Sequence, residues 1–109
     1  DGKLIVTGRL SDAVEPTEGA EAAKVAALNP LAAVADQAGG LDNVARILKA
    51  VVFVASTTDF TAQPQVANGA SELLGEVFGT PHVRSAVGVA VLPIDAPVEV
   101  ELVAELAAR

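Results

Sequence analysis

HVRSAVGVAVLP, residues 82–93, followed by PVEVELVAEL, residues 97–106, is the stretch from which the fold can be read. Both segments have the β-branched and alternating character of strands, and Pro93–Ala96 between them reads as a tight turn. Side chains alternate across a strand. Val83, Ser85, Val87, Val89 and Val91 therefore share one face, and Arg84, Ala86, Gly88 and Ala90 the other. The valine face is expected to be the covered one. The small residues beside Arg84 leave room for a ligand or for a close-packed second chain. The next strand splits the same way, with Val98, Val100, Leu102 and Ala104 against Glu99, Glu101 and Glu105. Paired as a hairpin about the turn, the two strands put Arg84 opposite Glu105, where a cross-strand ion pair would form. The same register separates Arg84 from Glu99 by roughly 20 Å at about 3.3 Å per residue. On that reading the two meet only across a subunit boundary.

Composition bounds the function. At 109 residues the chain is read as one domain, residues 1–109, able to bury about two-thirds of its unfolded surface. Half of it is hydrophobic, which excludes a disordered chain. Its formal charge is −7, and Lys3, Arg9, Lys24, Arg46, Lys49, Arg84 and Arg109 form no basic run, so a nucleic-acid backbone is repelled. The absence of Cys excludes disulfides, thiolate metal sites and a Cys nucleophile, and a single histidine, His82, makes no metal cluster. No apolar run spans a bilayer, no signal-peptide pattern is seen, and the expected location is the cytoplasm. The sequence starts at Asp1 rather than Met and reads as a processed product or a piece of a longer chain.

In chain order, KLIVTGR (3–9) reads as a strand ending at Gly8 and residues 10–16 as a loop. Pro16-Thr17 opens a helix with Thr17 as N-cap. Its apolar stripe is Ala22, Val25, Leu28, Ala32 and Ala35, widened by Ala26 and Leu31. At Pro30 the helix either kinks or gives way to a second one, and Gly39-Gly40 stops it. Asp42 caps a single turn, and Ile47–Ala55, interrupted by Lys49, is the middle strand of a sheet. Pro64 starts a second helix whose apolar positions are Val66, Ala70, Leu73 and Val77, with Leu74 and Phe78 beside them. The architecture expected is a mixed sheet with two helices on one face. The other face, carrying Arg84, the glutamates and apolar residues such as Val103, would be left open, which signals a ring-like homo-oligomer.

VRSAVGVAVLPIDAPVEVELVAEL (83–106) together with VVFVASTTDFTAQPQVANGASELLGEVFG (51–79) resembles the Rid family, also called YjgF, of imine and enamine deaminases. The resemblance spans roughly Lys3 to Ala107. It implies a chorismate-mutase-like α+β fold and a homotrimer with sites between subunits. In active members the position of Arg84 binds the substrate carboxylate, and that of Glu99 is associated with the hydrolytic water. Asn68 matches an Asn at the start of the second family helix, a weaker correspondence. Two departures count against activity. Ala86 stands where many members have Cys, and the family's further N-terminal segment of about two strands, which supplies a Tyr and a Ser-Gly strand end, is not read before Lys3, being lost, cleaved, left out of this chain or replaced in a divergent member.

The implied reaction converts a 2-iminoacid or enamine to a 2-ketoacid and ammonia without metal or organic cofactor. It needs a carboxylate anchor and a positioned water, for which Arg and Glu are suited. The alternative is a non-catalytic trimer that binds small carboxylates. His82 beside Pro81 is read as a loop residue rather than a base, Glu101 as a solvated or interface charge, and Ser85 as lacking partners for a triad.

Overall fold

The structure is a computed structural model and describes residues 6–108. Its elements run α1 (Pro16–Ala38), a single 3₁₀ turn (Leu41–Asn43), β1 (Val44–Ala55), α2 (Gln63–Phe78), β2 (Val83–Val89), a second 3₁₀ turn (Pro93–Asp95) and β3 (Val98–Leu106). Much of the proposed first strand, KLIVTGR, lies outside the described residues. Its remainder, residues 6–9, is not a strand.

The sheet order is β2-β1-β3. β1 is the central strand, as its nearly unbroken apolar run requires, with Ala50, Val52 and Val54 fully buried. It pairs with β2 in parallel, through the crossover helix α2, and with β3 antiparallel. The hairpin between β2 and β3 is therefore not formed, because β1 lies between them. Residues 90–97 carry the chain across the end of β1 through Pro93–Asp95, where Ile94 (φ 53°) and Asp95 (φ 60°) take left-handed conformations. Glu105 pairs with Arg46 on β1, at 3.0 Å, and not with Arg84. Both members of that pair are about half exposed. Arg46→Ala should consequently shift stability by no more than about 1 kcal/mol in urea unfolding.

The helices cover the face opposite to the one expected for β2. Cross-strand rows on the covered face are Arg84–Ala50–Leu102, Ala86–Val52–Val100 and Gly88–Val54–Val98. The open face carries Val83–Lys49–Val103, Ser85–Val51–Glu101 and Val87–Phe53–Glu99. Val83 is 66% exposed and Val87 42%. The division of β3 is as read from the sequence, with Val98 and Val100 buried and Glu99, Glu101 and Glu105 exposed. The error lay in giving the largest aliphatic side chains of β2 to the core. Its small residues are the ones beneath the chain's own helix: a Cβ on Gly88 would stand 2.9 Å from both Ser56 Oγ and Gln63 Nε2.

The same principle governs the helices. Glu15, not Thr17, is the N-cap of α1, and its N–H donates to Glu18 Oε1 at 3.1 Å. The helix continues through Pro30 and ends in left-handed Gly39 (φ 86°). Asp42 sits inside the following single turn, whose N-cap is Gly40. The buried stripe of α1 is Gly19, Ala22, Ala23, Ala27, Leu31 and Ala38; Leu28 and Ala32, assigned to the stripe, are exposed. On α2 the buried residues are Val66, Ala67, Gly69, Ala70 and Leu74, while Val77 is 39% exposed. Gly69 lets the two helices meet almost backbone to backbone, at Ala20, and Gly19 makes room for the Leu10 and Val66 side chains. The rest of the core is aliphatic, and fully buried Leu10, from the loop before α1, closes its end beside β1.

Gly75 has no such role, since a Cβ there meets nothing within 4 Å. Gly75→Ala should stabilise the chain by about 0.5–1 kcal/mol, through helix propensity and a less flexible unfolded state, measured as a raised urea midpoint.

Candidate functional site

The connection from α2 to β2 is four residues long, Gly79–His82. Left-handed Gly79 (φ 68°) ends α2 by donating its N–H to Gly75 O at 2.8 Å, and Thr80-Pro81 turns the chain directly into β2. So short a link lays α2 over the start of β2. Asn68 and Ser71, three apart on one face of α2, come to face Arg84, the second residue of β2. His82, two residues earlier, projects to the same side and reaches Ser71.

Arg84 Nη1 donates to Asn68 Oδ1 at 2.8 Å and to Ser71 Oγ at 3.2 Å. Both protons of that nitrogen are then committed. Ser71 Oγ lies 3.1 Å from His82 Nε2. Because Ser71 already accepts from Arg84, its hydroxyl proton is free to donate to the neutral ring. Loss of hydration, and secondarily the Arg84 charge, hold His82 below the ordinary imidazole range, which keeps that neutral form at pH 7. Arg84 Nε and Nη2 have no hydrogen-bond partner among the described residues. The guanidinium is thus fixed along one side, with the edge suited to a carboxylate left open. It borders an open recess of about 470 Å³ with Ser71, Gly75, Thr80, Pro81 and His82.

Of the residues singled out from sequence, Arg84 and Asn68 are brought into contact. Glu99 is not. It is exposed on the other face of the sheet, opposite Phe53, whereas Arg84 lies opposite Ala50. Three positions along β1 amount to about 10 Å, and the two outer strands are a further two strand spacings apart. The conclusion that Arg84 and Glu99 of one chain do not share a site stands, with sheet face and strand order as its cause in place of hairpin register. Glu99 instead borders an apolar recess of about 270 Å³ between α1 and the outer edge of β3, together with Val25, Asn29 and Pro97.

His82 lies in the loop, as read, but its contact with Ser71, and that of Ser71 with Arg84, were not foreseen. The signal was present: His-x-Arg on a strand puts both side chains on one face, and Asn-x-x-Ser on a helix does the same. Among the described residues no group of three or more His, Asp or Glu is placed to hold a metal ion, and no helix is long and apolar enough to cross a membrane.

Comparison with known proteins follows the same lines. Protein TCP17 of Trypanosoma cruzi is 46% identical over 104 residues, 93% of this chain, and the chain spans 65% of that protein's length. The crystal structure of Atu1372 from Agrobacterium tumefaciens, a protein of unknown function, superimposes with a TM-score of 0.93 at 40% identity, over 99% of this chain and 71% of that one. Escherichia coli TdcF, solved with bound serine, gives a TM-score of 0.56 at 28% identity, over 90% of this chain and 70% of TdcF. The family model for endoribonuclease L-PSP matches residues 2–106. Two helices on a mixed three-stranded sheet, and a family match over almost every residue, establish that the chain belongs to the endoribonuclease L-PSP family, also known as YjgF/Rid.

Proposed function

We propose that the protein hydrolyses reactive 2-iminoacids or enamines to 2-ketoacids and ammonia, with Arg84 as the carboxylate anchor. The observation that carries this reading is the state of Arg84: one nitrogen tied to Asn68 and Ser71, Nε and Nη2 unpaired among the described residues, and the side chain lining a recess. Held on one side, the fork loses little further freedom on gripping a carboxylate. TdcF, whose crystal structure holds an amino acid, lends support through fold and family.

Glu99 is the proposed water-positioning residue, supplied by a neighbouring copy. This requires an oligomer, and we propose a homotrimer assembled through the open sheet face, where Val83, Val87 and Val103 are exposed. No metal or organic cofactor enters the proposed chemistry, and the expected location is the cytoplasm. RNA cleavage, which the family's description suggests, finds little support in a formal charge of −7 with seven scattered Lys and Arg.

The second reading is a trimer that binds small carboxylates without catalysis. The distance of Glu99 from Arg84 within the chain favours it. Release of ammonia and 2-ketoacid from an iminoacid made in situ by an amino-acid oxidase separates the two. Acceleration above the spontaneous rate supports the deaminase. Saturable 2-ketoacid binding without acceleration supports the binder, and RNA cleavage by the purified protein would displace both.

A further inference from the structure

We propose that Ser71 and His82 complete the Arg84 site as a proton-coupled anion site, so that a small carboxylate enters together with a proton on His82. The inference rests on Arg84 as carboxylate anchor and adds to it a second positive charge and a third donor.

The geometry supplies the coupling. With His82 neutral, Ser71 accepts from Arg84 Nη1 (3.2 Å) and has its hydroxyl proton left to donate to His82 Nε2 (3.1 Å). When His82 takes up a proton, Nε2 becomes a donor. The Ser71–His82 hydrogen bond then reverses: Ser71 accepts from both Arg84 and His82, and its own hydroxyl proton is released toward the recess that all three line. One protonation therefore adds a cation and frees an O–H at the place where a carboxylate meets Arg84. In the other direction, a bound carboxylate neutralises the Arg84 charge that disfavours protonated His82. Anion and proton promote each other's binding, and this reciprocity is a thermodynamic requirement.

The surroundings leave few competing charges. Arg84 on β2 is the charged group facing His82, and Ser71 and Gly75 of α2 and Thr80 and Pro81 of the connecting loop carry none. Glu72 and Glu76 of α2 line a separate recess toward Glu21 and Lys24 of α1.

Because His82 is the only histidine, its Cε1–H proton resonance reports the site without ambiguity. The test is a pH titration of that resonance without and with saturating pyruvate, paired with pyruvate binding isotherms at pH 8 and pH 5.5. Saturating pyruvate should raise the His82 midpoint by about one unit, equivalent to about tenfold tighter binding across the titration. Ser71→Ala, which removes the reversible hydrogen bond, should shrink that pH dependence. An unmoved His82 midpoint and a flat Kd, with binding abolished by Arg84→Ala, would overturn the coupling and leave Arg84 as anchor. No pyruvate binding by the wild-type chain at either pH would overturn both. An undiminished pH dependence in Ser71→Ala would remove Ser71 from the mechanism.

Discussion

Gly69→Ala should cost about 3 kcal/mol or more of folding stability, the largest loss expected from adding one methyl group to this chain. A Cβ at Gly69 would stand 1.8 Å from Ala20 O and 2.7 Å from its carbonyl carbon. Those atoms belong to the backbone of α1, so no side chain can rotate away; the whole helix has to move. Displacing α1 would disturb Ala22, Ala23 and Ala27, which are packed with Val66, Ala67 and Ala70 into a core of small side chains. Such side chains fit one interhelical distance and have no longer rotamers to fill the gap left at another. The better helix propensity of Ala returns no more than about 1 kcal/mol. An unfolding free energy in urea within about 1 kcal/mol of wild type would show that the helices do not approach at Gly69. Gly75→Ala in the same helix is the matched control, with the opposite sign expected.

Arg84→Ala should lower kcat/KM for iminoacid hydrolysis by about 100-fold, within the roughly 2–5 kcal/mol that truncating one partner of a charge-assisted pair costs. In the binding reading, the same loss appears as affinity for a 2-ketoacid. Arg84→Lys keeps the charge but loses the planar fork, and should recover only part of it. The site is half open, so Asn68 and Ser71 regain water when the guanidinium goes, and the unfolding midpoint should change little. This separation of function from stability is the informative part. Equal activity in Arg84→Ala would remove the anchor from the account; lost activity accompanied by lost stability would mark Arg84 as structural.

The covalent neighbourhood of each element was easier to read than its orientation. β1 declared itself as a central strand by nine residues, Ile47–Ala55, with one charge among them. Pro16 and Pro64 lie in the first turns of the two helices, and Gly39 and Gly79 end them in the left-handed conformation. The two-residue period of β2 correctly grouped Arg84 with Ala86 and Gly88. What failed was the inference that a row of valines seeks the core. Burial of a strand face depends on what lies over it, and over Gly88 lie Gln63 at the start of α2 and Ser56 just after β1, each 2.9 Å from where a Cβ would stand. The hairpin failed for a related reason: a strand inserted between two sequence neighbours leaves no mark on either.

The site was legible to the same extent. Arg84 and Asn68 were singled out through resemblance, and the structure gives them a direct hydrogen bond of 2.8 Å. Ser71 was not singled out and His82 was read only as a loop residue, because each alone is a common surface residue. Their significance comes from the four-residue link Gly79–His82, which folds α2 back on β2. Glu99 keeps its proposed part only if a neighbouring copy delivers it, because the open face on which it stands belongs to the other side of the sheet.

The role of Arg84 can be seen outright in a crystal structure of the protein soaked with a 2-ketoacid such as 2-ketobutyrate. The ligand carboxylate should lie against Nε and Nη2 of Arg84, with Nη1 still held by Asn68 and Ser71 and a Glu99 from a neighbouring copy close to the ligand's carbonyl carbon. A ligand bound elsewhere, or none at Arg84 at a concentration that saturates binding in solution, would contradict that role.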